Sequence, residues 1–173
     1  MVPRHFKLLL SKAEIDKATA SLADQINRDY RSKRLILIGV LKGAFVFMAD
    51  LMRQLKIPVE VDFVKLESYG HNKTSSGTIK LLKDIDVDIG DQDVLIIEEI
   101  IDSGRTLQFL YQRLLAAKPK SLKICALLNK KARRTVHIEA DYVGREVEDK
   151  FLIGYGLDYD QAYRNIPDIY CID

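Results

Sequence analysis

Apolar residues recur along this chain with two distinct periods. Ile15, Ala18, Leu22 and Ile26 stand three or four positions apart, which is the spacing of one helix face. Ser11-Lys-Ala-Glu14 just before them has the form of a capping box, so one helix is expected over residues 12–30. After Gly43, the residues Ala44, Phe47, Met48, Leu51, Met52 and Leu55 share a face in the same way and predict a second helix. Between the two, residues 35–40 are wholly apolar, as expected of a strand covered on both faces. Residues 59–66 alternate as a strand, 79–83 resume an extended pattern, and 94–97 form another apolar run. Leu107, Leu110, Tyr111, Leu114 and Leu115 mark a helix that stops before Pro119, and residues 122–128, 142–143 and 151–153 complete the strands. Residues 67–78 form the longest polar, Gly/Ser-rich stretch. A loop of that length inside a compact domain is uncommon and predicts a mobile lid.

Strand–helix–strand order occurs early and again around residue 100, which argues for an α/β fold with a mainly parallel central sheet flanked by helices. Ligands of such sheets sit beyond the carboxyl ends of the strands. The loops after Val40 and Ile97 are therefore the places to look. No repeat, linker or low-complexity tract interrupts the 173 residues, so a single domain over 1–173 is expected.

Composition narrows the function classes. The chain is 47% hydrophobic and 30% charged, a globular composition that excludes disorder as the main state. Lys plus Arg number 27 against 25 for Asp plus Glu, a net charge of +2. That disfavours a nucleic-acid partner, which needs an excess of cations to displace phosphate counterions. No apolar stretch approaches the roughly 20 residues of a membrane span, and no signal peptide opens the chain. Cys125 and Cys171 allow at most one disulfide, with Cys125 inside an apolar run; a reducing, cytoplasmic setting is expected.

Chemistry concentrates in Val94-Leu-Ile-Ile-Glu-Glu-Ile-Ile-Asp-Ser-Gly-Arg-Thr106. Consecutive carboxylates off a buried strand are costly unless they meet a ligand or a cation. Adjacent residues of an extended chain point in opposite directions, so only one of Glu98 and Glu99 is expected to face a given ligand group squarely. Asp102-Ser103-Gly104-Arg105-Thr106 suits an anion: Gly104 permits an open turn, successive N–H groups converge, and a helix start adds partial positive charge. Together these describe a sugar-phosphate site. The bland alternative is a strand end and a helix capped by Asp102 or Ser103.

This stretch resembles the phosphoribosyl-pyrophosphate signature of type I phosphoribosyltransferases, and within that class the chain resembles the hypoxanthine-guanine branch. Four further segments resemble the family in the same order: Leu41-Lys42-Gly43 its pyrophosphate loop, Ser68-Tyr69 its catalytic lid, Leu127-Leu128-Asn129-Lys130 its base-recognition strand, and Asp149-Lys150-Phe151 with Gly154-Tyr155-Gly156-Leu157-Asp158-Tyr159 and Arg164 its carboxyl-terminal purine and metal segment. One departure is Glu99, where the family usually has Asp, which lengthens that arm by one methylene.

The resemblance implies the type I fold with a small hood formed by terminal segments. It also implies purine salvage: transfer of the 5-phosphoribosyl group from 5-phosphoribosyl 1-pyrophosphate (PRPP) to N9 of hypoxanthine or guanine. In that reading Asp102 is the general acid/base at purine N7. Lys42, Gly43, Glu98, Glu99, Asp102, Ser103, Gly104, Arg105, Thr106 and Arg164 bind the donor. Lys130, Phe151, Leu152 and Asp158 receive the purine, Ser68 and Tyr69 close as a lid, and Mg²⁺ is held near Asp158, Glu98 and Glu99. Small-molecule substrates, no membrane or nucleic-acid partner, and a homodimer or homotetramer complete the implied picture.

Three other signals carry little. Asp84-Ile-Asp86-Val-Asp88-Ile-Gly90 lacks the Gly and Glu of a calcium loop and reads as an edge strand with one wet face. Lys130-Lys131-Ala-Arg133-Arg134 reads as a solvated strand end, and His5, His71 and His137 lack metal-ligand spacing. The rival function class is a regulatory nucleotide sensor on the same fold; a weaker one is a transferase for adenine or a pyrimidine.

Overall fold

The computed structural model describes residues 6–68 and 79–172. Helix α1 (Lys12–Asp29) starts at the expected box: Glu14 N donates to the Ser11 hydroxyl, and Ser11 N donates to the Glu14 carboxylate at 2.9 Å. It buries Ile15, Thr19, Leu22, Ala23 and Ile26. Strand β2 (Leu35–Leu41) leads into α2 (Phe45–Met52), which buries Phe47, Met48 and Leu51. Met52, expected on the same apolar face, is among the exposed hydrophobics, because the helix ends at that residue.

β3 (Val59–Ser68), β4 (Ile79–Lys83), β5 (Asp93–Ile101), β6 (Ser121–Asn129) and β7 (Tyr142–Glu146) join β2 in one sheet of order β4-β3-β2-β5-β6-β7. All pairings are parallel except β3–β4. β5 and β6 are joined across one face by α3 (Arg105–Leu115). The chain moves outward from β2 to β3 on one side and from β5 to β6 on the other. The crevice beyond the adjacent ends of β2 and β5 is thus the switch point where ligands bind in open α/β sheets.

Strand periodicity explains why the central runs are wholly apolar. Leu35 and Leu37 of β2 and Leu95 and Ile97 of β5 enter the core under α1 and α2, whereas Ile36, Ile38, Val94 and Ile96 enter the core under α3. Both faces are covered, so neither can be polar.

Several segments depart from expectation. β5 runs on through the carboxylates to Ile101 rather than stopping at Ile97. Glu67 and Ser68, placed in the polar loop by composition, end β3 and pair with Lys80 and Ile79; the rest of that stretch, including Tyr69, lies outside the described residues. Residues 84–88 are not an edge strand. Asp62 Oδ2 accepts from Asp86 N at 2.5 Å and Val87 N at 3.0 Å, which draws that segment away from the β4 ladder. The edge is β4 itself.

A second, three-stranded sheet of order β1-β9-β8 joins the expected strand β8 (Phe151–Ile153) to two that periodicity did not predict, β1 (Phe6–Leu10) and β9 (Ile169–Ile172). It brings both chain ends together above the crevice as the hood. Tyr155 ties the hood to the core: its buried hydroxyl donates to Asp50 Oδ2 of α2 at 2.7 Å. Among the described residues no helix is long and apolar enough to cross a membrane, and Cys125 and Cys171 are buried and unpaired with each other.

Candidate active site

The turn between β5 and α3 is made by Gly104, at φ +83°, a region where residues with a Cβ are strained. The bland alternative, a helix capped by Asp102 or Ser103, is not what forms; Gly104 holds the N-cap position with no side-chain cap. The reason is steric as well as conformational. A Cβ there would lie 2.8 Å from both Arg134 Cδ and Ile138 Cγ2. The loop after β6 therefore packs directly behind the turn, with Thr135 N donating to Ser103 O at 3.0 Å and Arg134 Nε to Asp102 O at 3.3 Å. What remains on the open side is a cup of about 180 Å³ lined by Glu98, Ile100, Ile101, Asp102, Ser103, Gly104, Thr106 and Leu107. Its floor is a helix start, where only Arg105 N leans on Ser103 Oγ at 3.5 Å, a natural place for phosphate.

A second cavity of about 330 Å³ adjoins it, sharing Ile100 and Asp102. Glu99, Lys130, Arg133, Phe151, Leu152, Leu157 and Asp158 complete its wall. The acidic pair borders both spaces, Glu98 the cup and Glu99 the second cavity, yet their carboxyl groups stay close enough to interact rather than pointing apart as strand alternation predicts. Glu99 lies against the turn after β2, so close that a Cβ on Gly43 would be 1.6 Å from its Oε1. Burial, and then repulsion from Glu99, holds Glu98 well above the ordinary carboxyl range. Burial also raises Glu99, with Arg164 opposing the shift and Asp158 adding to it.

The carboxyl-terminal segment closes the far side. Arg164 is half-buried and is no solvated surface charge: Nη2 meets Asp158 Oδ1 at 2.7 Å and Nη1 donates to Gly156 O at 2.7 Å. Gly156 in turn packs its Cα face on the carbonyl of Gly43. Lys42, following a cis Leu41–Lys42 peptide, donates to Gln161 Oε1 at 2.8 Å. Phe151 is not core; it is 48% exposed, with its ring against the edge of Tyr159 at 5.6 Å between centroids.

The basic run after β6 is solvated as expected at Lys131, Ala132 and Arg133, and Lys130, marked by the family resemblance, is the one that turns inward. Lys130 is 4% exposed, and its ammonium is 3.8 Å from Asp149 Oδ1, an ion-pair distance too long for a hydrogen bond. A buried cation held so loosely has donors to spare for a ligand. Asp102 presents the complementary feature, since its Oδ1 is shut off from solvent and accepts no hydrogen bond.

The fold thus gathers Glu98, Glu99, Asp102, Ser103, Gly104, Thr106, Lys130, Phe151, Leu152 and Asp158 around two joined cavities, with Lys42, Gly43 and Arg164 one contact away. Arg105 is not among them. It is exposed on the outer side of α3, with Nε donating to Thr135 Oγ1 at 3.2 Å. Arg133, Ile100, Leu157 and Gln161 were not anticipated. Arg133 sat in the basic run, but no periodicity separates it from its neighbours.

With this geometry in hand, comparison with known proteins is specific. Residues 7–160 match the family model of the phosphoribosyl transferase domain. The hypoxanthine-guanine phosphoribosyltransferase of Aquifex aeolicus is 44% identical over 171 residues, covering 98% of this chain and 96% of that protein. The enzyme of the same name from Bacillus subtilis is 46% identical over 161 residues, covering 93% and 89%. A crystal structure of a Bacillus anthracis hypoxanthine-guanine phosphoribosyltransferase superimposes with a TM-score of 0.92 at 45% identity, over 96% of this chain and 98% of that one. On its fold, its cavities and these full-length likenesses, the chain belongs to the phosphoribosyltransferase family.

Proposed function

We propose that the chain transfers the 5-phosphoribosyl group of PRPP to N9 of hypoxanthine or guanine, giving IMP or GMP and pyrophosphate. The observation that supports this reading best is Asp102 Oδ1, an acceptor without a donor at the junction of the two cavities. A 5-phosphate in the cup and a purine in the larger cavity put the reacting bond between them, beside that oxygen. N9 bonds to C1 of the sugar as the C1–oxygen bond to pyrophosphate breaks. Asp102 takes the proton from purine N7, a role that contributes ~10²–10⁴-fold.

The remaining side chains meet the other demands of the reaction. Main-chain N–H groups at the start of α3, with the hydroxyls of Ser103 and Thr106, hold the 5-phosphate, and Glu98 and Glu99 receive ribose hydroxyls. Lys130 donates to the 6-oxo group; an adenine amino group cannot accept that bond, and a site left unpaired rejects the wrong base strongly. Phe151 covers the purine face, and main-chain groups near Leu152 and Asp158 meet its 2-position. Lys42, Gly43 and Arg164 stand where the departing pyrophosphate gathers charge.

A divalent cation fits this arrangement. Among the described residues no three ligating side chains converge as a protein-only cage. Mg²⁺ needs none, because it is bound through phosphate oxygens with one or two carboxylates. Glu99 Oε2 is buried without a hydrogen-bond partner and lies near Asp158, so these two, with Glu98 on the other side, would hold it. When bound, Mg²⁺ supplies positive charge to the leaving pyrophosphate. Ser68 and Tyr69 are assigned to the lid, with Tyr69 outside the described residues. The two free cysteines accord with a reducing cytoplasmic compartment.

The test is purified protein mixed with PRPP, Mg²⁺ and, separately, hypoxanthine, guanine, xanthine or adenine. Nucleotide should form with the first two; failure with both overturns the reading. No observation favours a sensor over an enzyme, and the relatives' names are those of enzymes.

A further inference from the structure

Arg133 occupies the wall of the larger cavity between two carboxylates that belong to different parts of the chain. Its Nε is 3.3 Å from Asp102 Oδ1, on the turn after β5, and its Nη1 is 3.4 Å from Asp149 Oδ1, just before β8. Asp149 Oδ1 is also the one carboxylate within ion-pair distance of the Lys130 ammonium among the described residues, at 3.8 Å. Asp102, Arg133, Asp149 and Lys130 are therefore a row of alternating charges that crosses the purine end, with no excess of either sign.

The contact with Asp102 has an unusual property. Arg133 is close enough to compensate the carboxylate's charge, yet Oδ1 accepts no hydrogen bond from it or from any other group. Charge is balanced and the lone pair is left open. The other neighbouring cation, Arg134, donates to the main-chain oxygen of Asp102 rather than to its carboxylate. Arg133 is thus the cation that faces the Asp102 carboxylate itself, and its side chain is 55% exposed, with Nη1 donating to Asp149 Oδ1.

We propose that Arg133 is a positioning residue for the reaction. It aims the Asp102 carboxylate at purine N7 and, through Asp149, sets the place of the Lys130 ammonium that meets O6. One side chain then couples the two groups that recognise opposite edges of the same ring. This rests on the roles given above to Asp102 and Lys130. It adds a residue that neither composition nor the family motifs singled out.

Steady-state kinetics of Arg133→Gln, Arg133→Lys and Asp149→Asn, with varied hypoxanthine and varied PRPP, test it, alongside thermal unfolding to confirm that each variant folds. Arg133→Gln should lower kcat about tenfold, the scale on which small misplacements of a catalytic group act, while KM for PRPP changes by less than about twofold. Arg133→Lys should recover most of the loss. Asp149→Asn should fall in the same direction, and the Gln/Asn double variant should be no worse than the poorer single one, because the two act as a unit. Unchanged kinetics of Arg133→Gln, or a Lys variant no better than Gln, overturns the proposal. A natural-sequence protein that forms no nucleotide overturns the functional reading itself. If Asp102→Asn is impaired and Arg133→Gln is not, only the present inference fails.

Discussion

Gly43 and Glu99 meet with no room for a methyl group between them: a Cβ on Gly43 would stand 1.6 Å from Glu99 Oε1 and 2.1 Å from its Cδ. The loop after β2 and the second carboxylate of β5 are thereby one structural unit, although 56 positions separate them (99 less 43). A side chain at 43 would require the Glu99 carboxylate to turn away toward the cavity it lines.

Gly43→Ala tests this unit. Displacing the flexible end of Glu99 should cost up to about 1 kcal/mol of stability, the low end of overpacking, read as a lower urea midpoint. KM for PRPP should rise much more than KM for hypoxanthine. Adding Glu99→Ser should restore the midpoint by removing the clashing carboxylate, without restoring PRPP affinity. If the double variant is as unstable as Gly43→Ala, the contact is not the cause.

Asp102→Asn should leave the shape of both cavities intact while removing the proton acceptor. A drop of ~10²–10⁴ in kcat is expected, with a much smaller change in KM for PRPP. Proportionate losses in both would instead indicate a binding role.

Lys130→Met keeps the stem and removes the donors. A hydrogen bond to a charged group contributes about 1.5–3 kcal/mol, so kcat/KM for hypoxanthine should fall roughly ten- to a hundredfold. Activity toward adenine should not fall with it. Competition of the two bases for limiting PRPP measures the ratio directly, and an equal loss for both bases argues against recognition of O6.

The acidic pair should also make stability depend on pH. Burial raises Glu98 and Glu99 above the ordinary value near 4.5. A group whose folded pKa is raised binds more protons folded than unfolded, so its stabilisation is present below about 4.5 and is lost as pH rises. Glu98→Gln removes that loss. In metal-free buffer the variant should gain in unfolding temperature relative to the natural sequence as pH is taken upward from 4.5; a difference independent of pH would refute the assignment. Comparing the two proteins cancels the opposite contribution of Asp62, whose carboxyl is lowered by the backbone N–H groups it accepts from.

Much of this was legible in the chain itself. Capping at Ser11, the apolar runs of β2, β5 and β6, and the α/β order each have a local cause, so short windows reveal them. The hood was expected only through the family resemblance. Its strands β1 and β9 are five and four residues long and pair across most of the chain, Phe6 with Ile172. Such pairing leaves no period to read. The basic run after β6 shows the same division: its composition says solvent, which holds for Lys131, Ala132 and Arg133, while Lys130, marked by the resemblance alone, is carried inward where the strand ends.

What the sequence determined by itself was which residues would be near the carboxyl ends of strands, since that follows from the order and period of the apolar runs. Tertiary structure decided what each of them meets. Gly43 against Glu99, Arg133 between Asp102 and Asp149, and Arg164 on Asp158 are contacts between segments whose separation along the chain carries no regular signal. Burial of apolar surface is non-directional; it drives the layers together, and only their close packing selects which charged side chains share a cavity.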